Sequence, residues 1–205
     1  PEGKCMPIAT RGGVRQVWRE GHNYAVDMGK WTFPTDSSTP ADAHASAQPA
    51  QVEVQVAGID NPLRGVRVDV PNPHVVVQVS EEQLQALDLS IPPVLTPAPA
   101  NGANVEFIAI HPTTPPASTD DAVTPLTGQI TMRVWERGVG ETRSCGTGVV
   151  AAAIVGSLGK GDEPARWQVS VPGGELSVWL NGRAVLIGPA VLVHQGGLVP
   201  YTETL

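Results

Sequence analysis

Hydrophobic and polar residues alternate along most of this sequence with a period of about two, which is typical of β-strands. The alternation is clearest where valines recur, as in VEVQV, VRVDV and VVVQV. The pattern therefore predicts a chain dominated by β-structure. After an N-terminal hairpin over 14–28, the predicted strands are 52–56, 66–70, 75–79, 105–110, 130–135, 167–171, 176–180, 184–187 and 191–194.

One segment breaks this alternation and predicts a buried helix. Residues 146–158, GTGVVAAAIVGSL, are small or apolar on every face of a helix. A helix of that kind is buried on all sides, so we expect it inside the sheet. A second, short helix is predicted from Ser80, which has N-cap chemistry and is followed by acidic residues in the first turn. The predicted fold class is α+β, with a mixed and antiparallel sheet wrapped around a central helix.

Composition and charge exclude some classes of function but do not identify one. The 205 residues carry 13 Lys and Arg against 20 Asp and Glu, a net charge of -7, which argues against a nucleic-acid-binding surface and favours a small-molecule partner. No segment reaches the roughly 20 continuous apolar residues of a membrane helix, and no secretory signal opens the chain. Residues 34–50, rich in Pro, Ser and Ala, predict an exposed loop.

The two cysteines, Cys5 and Cys145, are far apart in the sequence. This spacing predicts neither a disulfide framework nor a Cys-rich metal site, so we expect a protein of the reducing cytosol. The sequence begins with Pro rather than Met. We therefore expect the chain to be a processed form, a recombinant fragment or part of a longer protein.

The candidate chemistry lies in residues 135–150, WERGVGETRSCGTGVV, which place Cys145 at the start of the buried helix. Backbone N–H groups there have no partners within the helix, and the helix dipole favours negative charge, so we expect a lowered thiol pKa. Gly146 and Gly148 remove side chains, so a substrate carboxylate can approach the N–H groups of Gly146 and Thr147. The alternative is an inert, buried thiol among glycines that serve packing.

Residues 136–148, ERGVGETRSCGTG, closely resemble the second cysteine motif of diaminopimelate epimerases. Five shorter segments resemble the same family in the same order along the chain. They are VDMG at 26–29, NPH at 72–74, NGANVEF at 101–107, VPGGELSV at 171–178 and GPAVLV at 188–193.

The resemblance implies a metal-free and cofactor-independent interconversion of LL- and meso-diaminopimelate in lysine and peptidoglycan-precursor synthesis. Two cysteines on opposite faces of the substrate would remove and return one proton, and Cys145 matches the second of them. The other matching positions are Gly146 and Thr147 for the α-carboxylate, Asn72, Asn104 and Arg137 for substrate binding, and Glu136 and His74 for ligand contact or thiol tuning.

Each matching residue also has an ordinary structural explanation. Asn72 before a proline suits a turn, His74 suits a partly buried imidazole, and Asn104 suits a loop cap. Glu136 and Arg137 are adjacent charges that suit a surface ion pair.

The sequence departs from the family at the first cysteine, whose CGNG-type motif does not occur. Cys5, in GKCMPIA, does not match it. In the family fold, two similar halves flank the active site. The resemblance implies that residues 27–187 form the C-terminal half, with 1–26 and 188–205 as strands of a missing N-terminal half. We expect the isolated chain to be inactive, with the missing half or a second copy as its partner.

Two other functions fit the same residues. One is a proline racemase-like or phenazine-pathway isomerase of the same fold, because a fold does not fix its substrate. The other is a non-catalytic binding or assembly module that retains half of an epimerase site.

Overall fold

The computed structural model describes residues 5–10, 12–34, 49–112, 126–160 and 164–197. Within these ranges, thirteen strands and two helices form the fold. The helices are α1 (Glu81–Ala86) and α2 (Gly146–Gly156). The strands are β1 (Met6–Thr10), β2 (Gly13–Glu20), β3 (Asn23–Gly29), β4 (Gln51–Gln55), β5 (Leu63–Val70), β6 (Asn72–Gln78), β7 (Val94–Thr96), β8 (Asn104–His111), β9 (Leu126–Glu136), β10 (Gly140–Thr142), β11 (Ala165–Val171), β12 (Gly174–Leu180) and β13 (Ala184–Gly188).

The strands form one mixed sheet in the order β1-β2-β3-β13-β12-β11-β9-β8-β6-β5-β4-β7, with β10 paired to β9 outside that path. The pairs β6–β8 and β9–β11 are parallel, and the other neighbours along the path are antiparallel. The predicted α+β class is confirmed.

Helix α2 lies inside the curved sheet, as its composition predicts. Val149, Val150 and the alanines that follow are fully buried, and the helix packs against β5, β6, β8, β9, β11, β12 and β13. Small side chains allow strands to approach the helix from every side. Packing against α2 therefore holds these strands in defined positions around the N-terminus of the helix.

A second core lies on the other face of β6 and β8, under α1. Val75, Val77, Val105 and Phe107 point into it, while the residues between them point toward α2, as strand alternation requires. Helix α1 begins with a capping box between Ser80 and Gln83, which confirms the predicted helix start. No helix in the described part of the chain is long and apolar enough to cross a membrane.

The predicted strand over 191–194 is wrong. Residues 189–197 contain no strand, and Val191, Leu192 and Val193 are 78%, 79% and 91% exposed. Strand β13 ends at Gly188, and no strand of the described chain pairs with the residues that follow. Valine spacing describes a local preference, whereas strand formation needs a free partner.

Other differences are smaller. Strands β7 and β10 were not predicted, whereas β1 lies within the segment 1–26 that the resemblance assigns to strands. Most of the predicted loop over 34–50 lies outside the described residues. Its last residue, Ala50, is buried rather than exposed, because its carbonyl accepts a hydrogen bond from the backbone N–H of Arg67.

Candidate active site

Cys145 is the N-cap residue of α2 and is 8% exposed. Two hydrogen bonds connect the turn before Cys145 to the β11–β12 turn. The backbone carbonyl of Arg143 accepts from the N–H of Gly173 at 2.8 Å, and the guanidinium of Arg143 donates to the carbonyl of Pro172 at 3.0 Å. The sulfur of Cys145 belongs to the core around α2.

Asn104 connects the thiol of Cys145 to the end of β9. Its Nδ2 donates to Sγ of Cys145 at 3.7 Å, and its Oδ1 accepts from the backbone N–H of Arg137 at 3.0 Å. The side chain thus joins β8, the end of β9 and the start of α2. On the other side of the sulfur, Oγ1 of Thr147 lies 3.5 Å away.

Glu136 and Arg137 follow each other at the end of β9 but do not pair with each other within the described chain. Glu136 accepts a hydrogen bond from the hydroxyl of Thr142 on β10. The guanidinium of Arg137 donates to the backbone carbonyl of Asn101. The surface ion pair that adjacent charges suggest is therefore not formed.

His74 lies in the sheet beside α2 and is paired with a carboxylate. Its Nδ1 is 2.7 Å from Oε1 of Glu106, and both side chains have no exposed surface. The parallel register of β6 and β8 places His74 opposite Asn104, two residues before Glu106 on the same face. The pair therefore lies next to the side chain that contacts the thiol.

A cleft of about 480 Å³ brings Asn72 and Thr147 together with Arg15, Met28 and Pro71. It lies between the N-terminal strands and the first turn of α2, where the N–H groups of Gly146 and Thr147 have no partners within the helix. A larger groove of about 630 Å³, lined by Trp18 and Trp179, contains none of the predicted site residues. The smaller cleft is therefore the candidate binding site.

The environment of Cys145 favours its neutral form. Burial raises the pKa of the thiol, and the negative charges of Glu106 and Glu136 raise it further. The hydroxyl of Thr147 and the N–H of Gly148 act in the opposite direction and are outweighed. The prediction of a lowered pKa is wrong for this structure, because desolvation and two carboxylates exceed the effect of the helix N-terminus.

Alkylation should report this raised pKa directly. In a Cys5→Ala background, we expect the rate of reaction of Cys145 with iodoacetamide to rise with a midpoint above that of N-acetylcysteine, because only the thiolate reacts. The free energy of unfolding should fall as pH rises from the ordinary thiol pKa through the raised one, because the unfolded state loses its thiol proton before the folded state does. Below the ordinary thiol pKa the thiol is neutral in both states, so this contribution does not change there. A midpoint at or below the reference would contradict the assignment.

Gly148 provides the space for the carboxylate of Glu106. A Cβ at this position would lie 2.6 Å from Oε1 of Glu106 and 3.1 Å from its Cγ. Gly148→Ala should lower the free energy of unfolding by about 1–3 kcal/mol, as measured by urea denaturation, because the core has no room for the methyl group. Gly146→Ala is the control, since its Cβ meets only the end of the Leu186 side chain, at 3.2 Å. Equal losses in the two variants would refute this explanation.

The sequence interpretation overlooked two of these residues. Glu106 is a charged residue in an apolar strand, on the same face as Asn104 and Ile108, and that position was a detectable signal. Thr142, which donates to Glu136, had no comparable signal because its role depends on the pairing of β10 with β9.

Comparisons with known proteins show which family this chain resembles. A sequence model of the diaminopimelate epimerase family matches residues 66–193. The diaminopimelate epimerase of Thermobifida fusca is 38% identical over 195 residues, which cover 94% of this chain and 59% of that protein. The diaminopimelate epimerase of Mycobacterium leprae is 39% identical over 190 residues, which cover 90% and 55%. The chain thus spans little more than half the length of these relatives.

Solved structures share the fold at low sequence identity. A phenazine biosynthesis protein of the PhzF family from Bacillus anthracis superposes with a TM-score of 0.51 at 15% identity, covering 92% of this chain and 66% of that one. A PhzF-family protein from Enterococcus faecalis gives 0.50 at 14% identity, covering 95% and 64%. At such identity the likeness concerns the fold alone.

Proposed function

The chain belongs to the diaminopimelate epimerase family, and on that premise we propose that it supplies one of two thiols for a cofactor-independent epimerisation of LL- to meso-diaminopimelate. Inversion at a carbon requires one group that removes the α-proton and another that returns a proton from the opposite face. Cys145 is the group on one face. The second thiol would come from a first cysteine motif, which this sequence does not contain.

The first turn of α2 is suited to the α-carboxylate. The N–H groups of Gly146 and Thr147 point out of the helix start, where the dipole favours an anion. Thr147 also lines the candidate cleft. A carboxylate bound at that position would place the α-carbon near Sγ of Cys145, since the sulfur belongs to the preceding residue.

The remaining positions have separate proposed roles. Asn72 and Asn104 bind polar groups of the substrate, and Arg137 grips a carboxylate, for which its planar guanidinium is suited. That grip requires Arg137 to leave the carbonyl of Asn101 to which it donates. Glu136 and His74 adjust the protonation of the thiols. Substrate binding would also bring a cation near the two carboxylates that raise the pKa of Cys145, and so favour its thiolate.

The proposal also assigns the segments of this chain to the two halves of the complete enzyme. Residues 27–187 would form the C-terminal half, and 1–26 and 188–205 would belong with the N-terminal half or, less completely, with a second copy of the chain. The exposed side chains of Val191, Leu192 and Val193 support this assignment, because they lie outside the sheet and no described residue covers them. The boundary at 26 falls within β3, so this strand would be shared by the two halves. The isolated chain would be inactive, and the complete enzyme would act in the cytoplasm in lysine biosynthesis.

The observation that carries the proposal is the contact of Cys145 with Asn104, which in turn holds the backbone of Arg137. Asn104 thus contacts two other residues that match the same family's site in the sequence. A binding or assembly module would have no need for this arrangement around a thiol.

The substrate is tested with an extended protein, meaning this chain preceded by a half with a CGNG-type motif. LL-diaminopimelate, L-proline and trans-4-hydroxy-L-proline are incubated separately, and the stereoisomers are resolved by chiral chromatography. We expect inversion of diaminopimelate alone. Inversion of a proline substrate would favour the racemase alternative, and binding without inversion of any substrate would favour the non-catalytic module.

A further inference from the structure

The pair formed by His74 and Glu106 is buried on the face of the sheet that packs against α2. Nδ1 of His74 and Oε1 of Glu106 are 2.7 Å apart, and neither side chain has exposed surface. Within the described residues, Nε2 of His74 and Oε2 of Glu106 have no hydrogen-bond partner. Buried polar atoms without a partner are uncommon and call for an explanation.

The two free atoms bear on the protonation of the pair. If Glu106 were protonated and donated to Nδ1, the imidazole would carry a second proton on Nε2, leaving a buried donor without an acceptor. If the pair holds one proton fewer, with Glu106 as the carboxylate and the single proton on Nδ1, both free atoms are acceptors. A buried acceptor without a partner is tolerated better than a buried donor, so the second arrangement is favoured.

The position of α2 favours the same arrangement. Gly148, in the first turn, approaches Glu106 so closely that a Cβ there would lie 2.6 Å from Oε1. The start of a helix stabilises negative charge, and this supports the carboxylate of Glu106 as the acceptor of the hydrogen bond from Nδ1. The absence of a side chain at position 148 is what permits this approach.

We propose that Glu106 is the positioning residue for His74, holding the imidazole proton on Nδ1 and keeping Nε2 as a proton acceptor beside the site. Its carboxylate acts on the imidazole as a buried carboxylate acts on the histidine of a catalytic triad, by fixing the tautomer. Glu106 itself touches neither substrate nor the reacting atoms. The catalytic consequence rests on the proposed function, whereas the tautomer does not.

The tautomer is measured in this chain by ¹⁵N NMR of labelled histidine, using couplings between the ring nitrogens and ring protons. His74→Gln identifies the signal among the five histidines. We expect a neutral ring with the proton on Nδ1 at neutral pH. In Glu106→Gln, which keeps the shape of the side chain, the preference for Nδ1 should be lost. Glu53→Gln, on the exposed side of β4, is the matched control and should change nothing.

A second measurement uses the thiol. Because the charge of Glu106 raises the pKa of Cys145, Glu106→Gln should move the midpoint of iodoacetamide alkylation to lower pH, while Glu136 continues to raise it. Glu53→Gln should leave the midpoint in place. The proposal is overturned if wild-type His74 has its proton on Nε2 or is doubly protonated, or if Glu106→Gln alters neither tautomer nor midpoint.

Turnover distinguishes positioning from a purely structural role. In the extended protein we expect Glu106→Gln to lower kcat by about 10²-fold, within the range of general acid–base effects, with KM changed less than about threefold. An unchanged kcat in a folded variant would overturn the proposal. If wild-type extended protein inverts no diaminopimelate, the proposed function fails, and the tautomer alone decides the role of Glu106.

Discussion

Replacement of Cys145 by alanine in the extended protein should abolish inversion at the α-carbon of diaminopimelate, lowering kcat by at least about 10²–10⁴-fold. The reason is that one face of the substrate would lose its proton acceptor or donor, and water held elsewhere cannot substitute for a positioned group. The change should be measured as the rate of formation of meso-diaminopimelate from the LL isomer by chiral chromatography.

The fold should survive this change, because alanine occupies the N-cap position with loss of the sulfur alone. Thermal unfolding should confirm it. Cys5→Ala is the matched control: Cys5 is exposed and its thiol donates to the side chain of Gln16, away from the site, so turnover should remain unchanged. A folded Cys145→Ala protein with turnover near wild type would disprove the role of the thiol.

Replacement of Trp167 by alanine should cost about 3–5 kcal/mol in the free energy of unfolding. The indole on β11 is fully buried, and its Nε1 donates to Oγ of Ser157 at the C-terminal end of α2 at 2.8 Å. It also fills the space next to Gly128 and Gly156, where an added Cβ would lie within about 2–3 Å of the ring. Trp167 thus anchors the C-terminal end of α2, which is the end opposite Cys145.

Urea denaturation of this chain measures the loss, and Trp179→Ala is the matched control. Trp179 lies on the adjacent strand β12 and is 37% exposed, so its replacement should cost about 1 kcal/mol or less. Similar losses for both tryptophans would show that α2 is not anchored in this way.

The fold was predictable from the sequence where local composition decides the structure. The apolar run of 146–158 had no polar face, so it could only be an internal helix, and valine alternation marked the strands around it. The segment 191–194 is also rich in valine, yet it forms no strand. Its pairing depends on partners from elsewhere in the fold, which a local pattern does not contain.

The site was predictable as a set of residues but not as a set of contacts. His74 and Asn104 are thirty residues apart in the sequence and become neighbours only through the parallel register of β6 and β8. The same register brings Glu106 to His74. The direction of the thiol pKa was mistaken for a related reason: the helix start was visible in the sequence, whereas the burial and the two carboxylates that outweigh it arise from packing.

The central claim, that this chain supplies one of two thiols for epimerisation, is tested most directly by proton exchange at the α-carbon of LL-diaminopimelate in deuterated water. This chain and the extended protein are compared by loss of the α-proton NMR signal. We expect exchange and inversion with the extended protein and neither with this chain alone. Inversion by this chain without the added half, or no exchange by either protein, would contradict the claim.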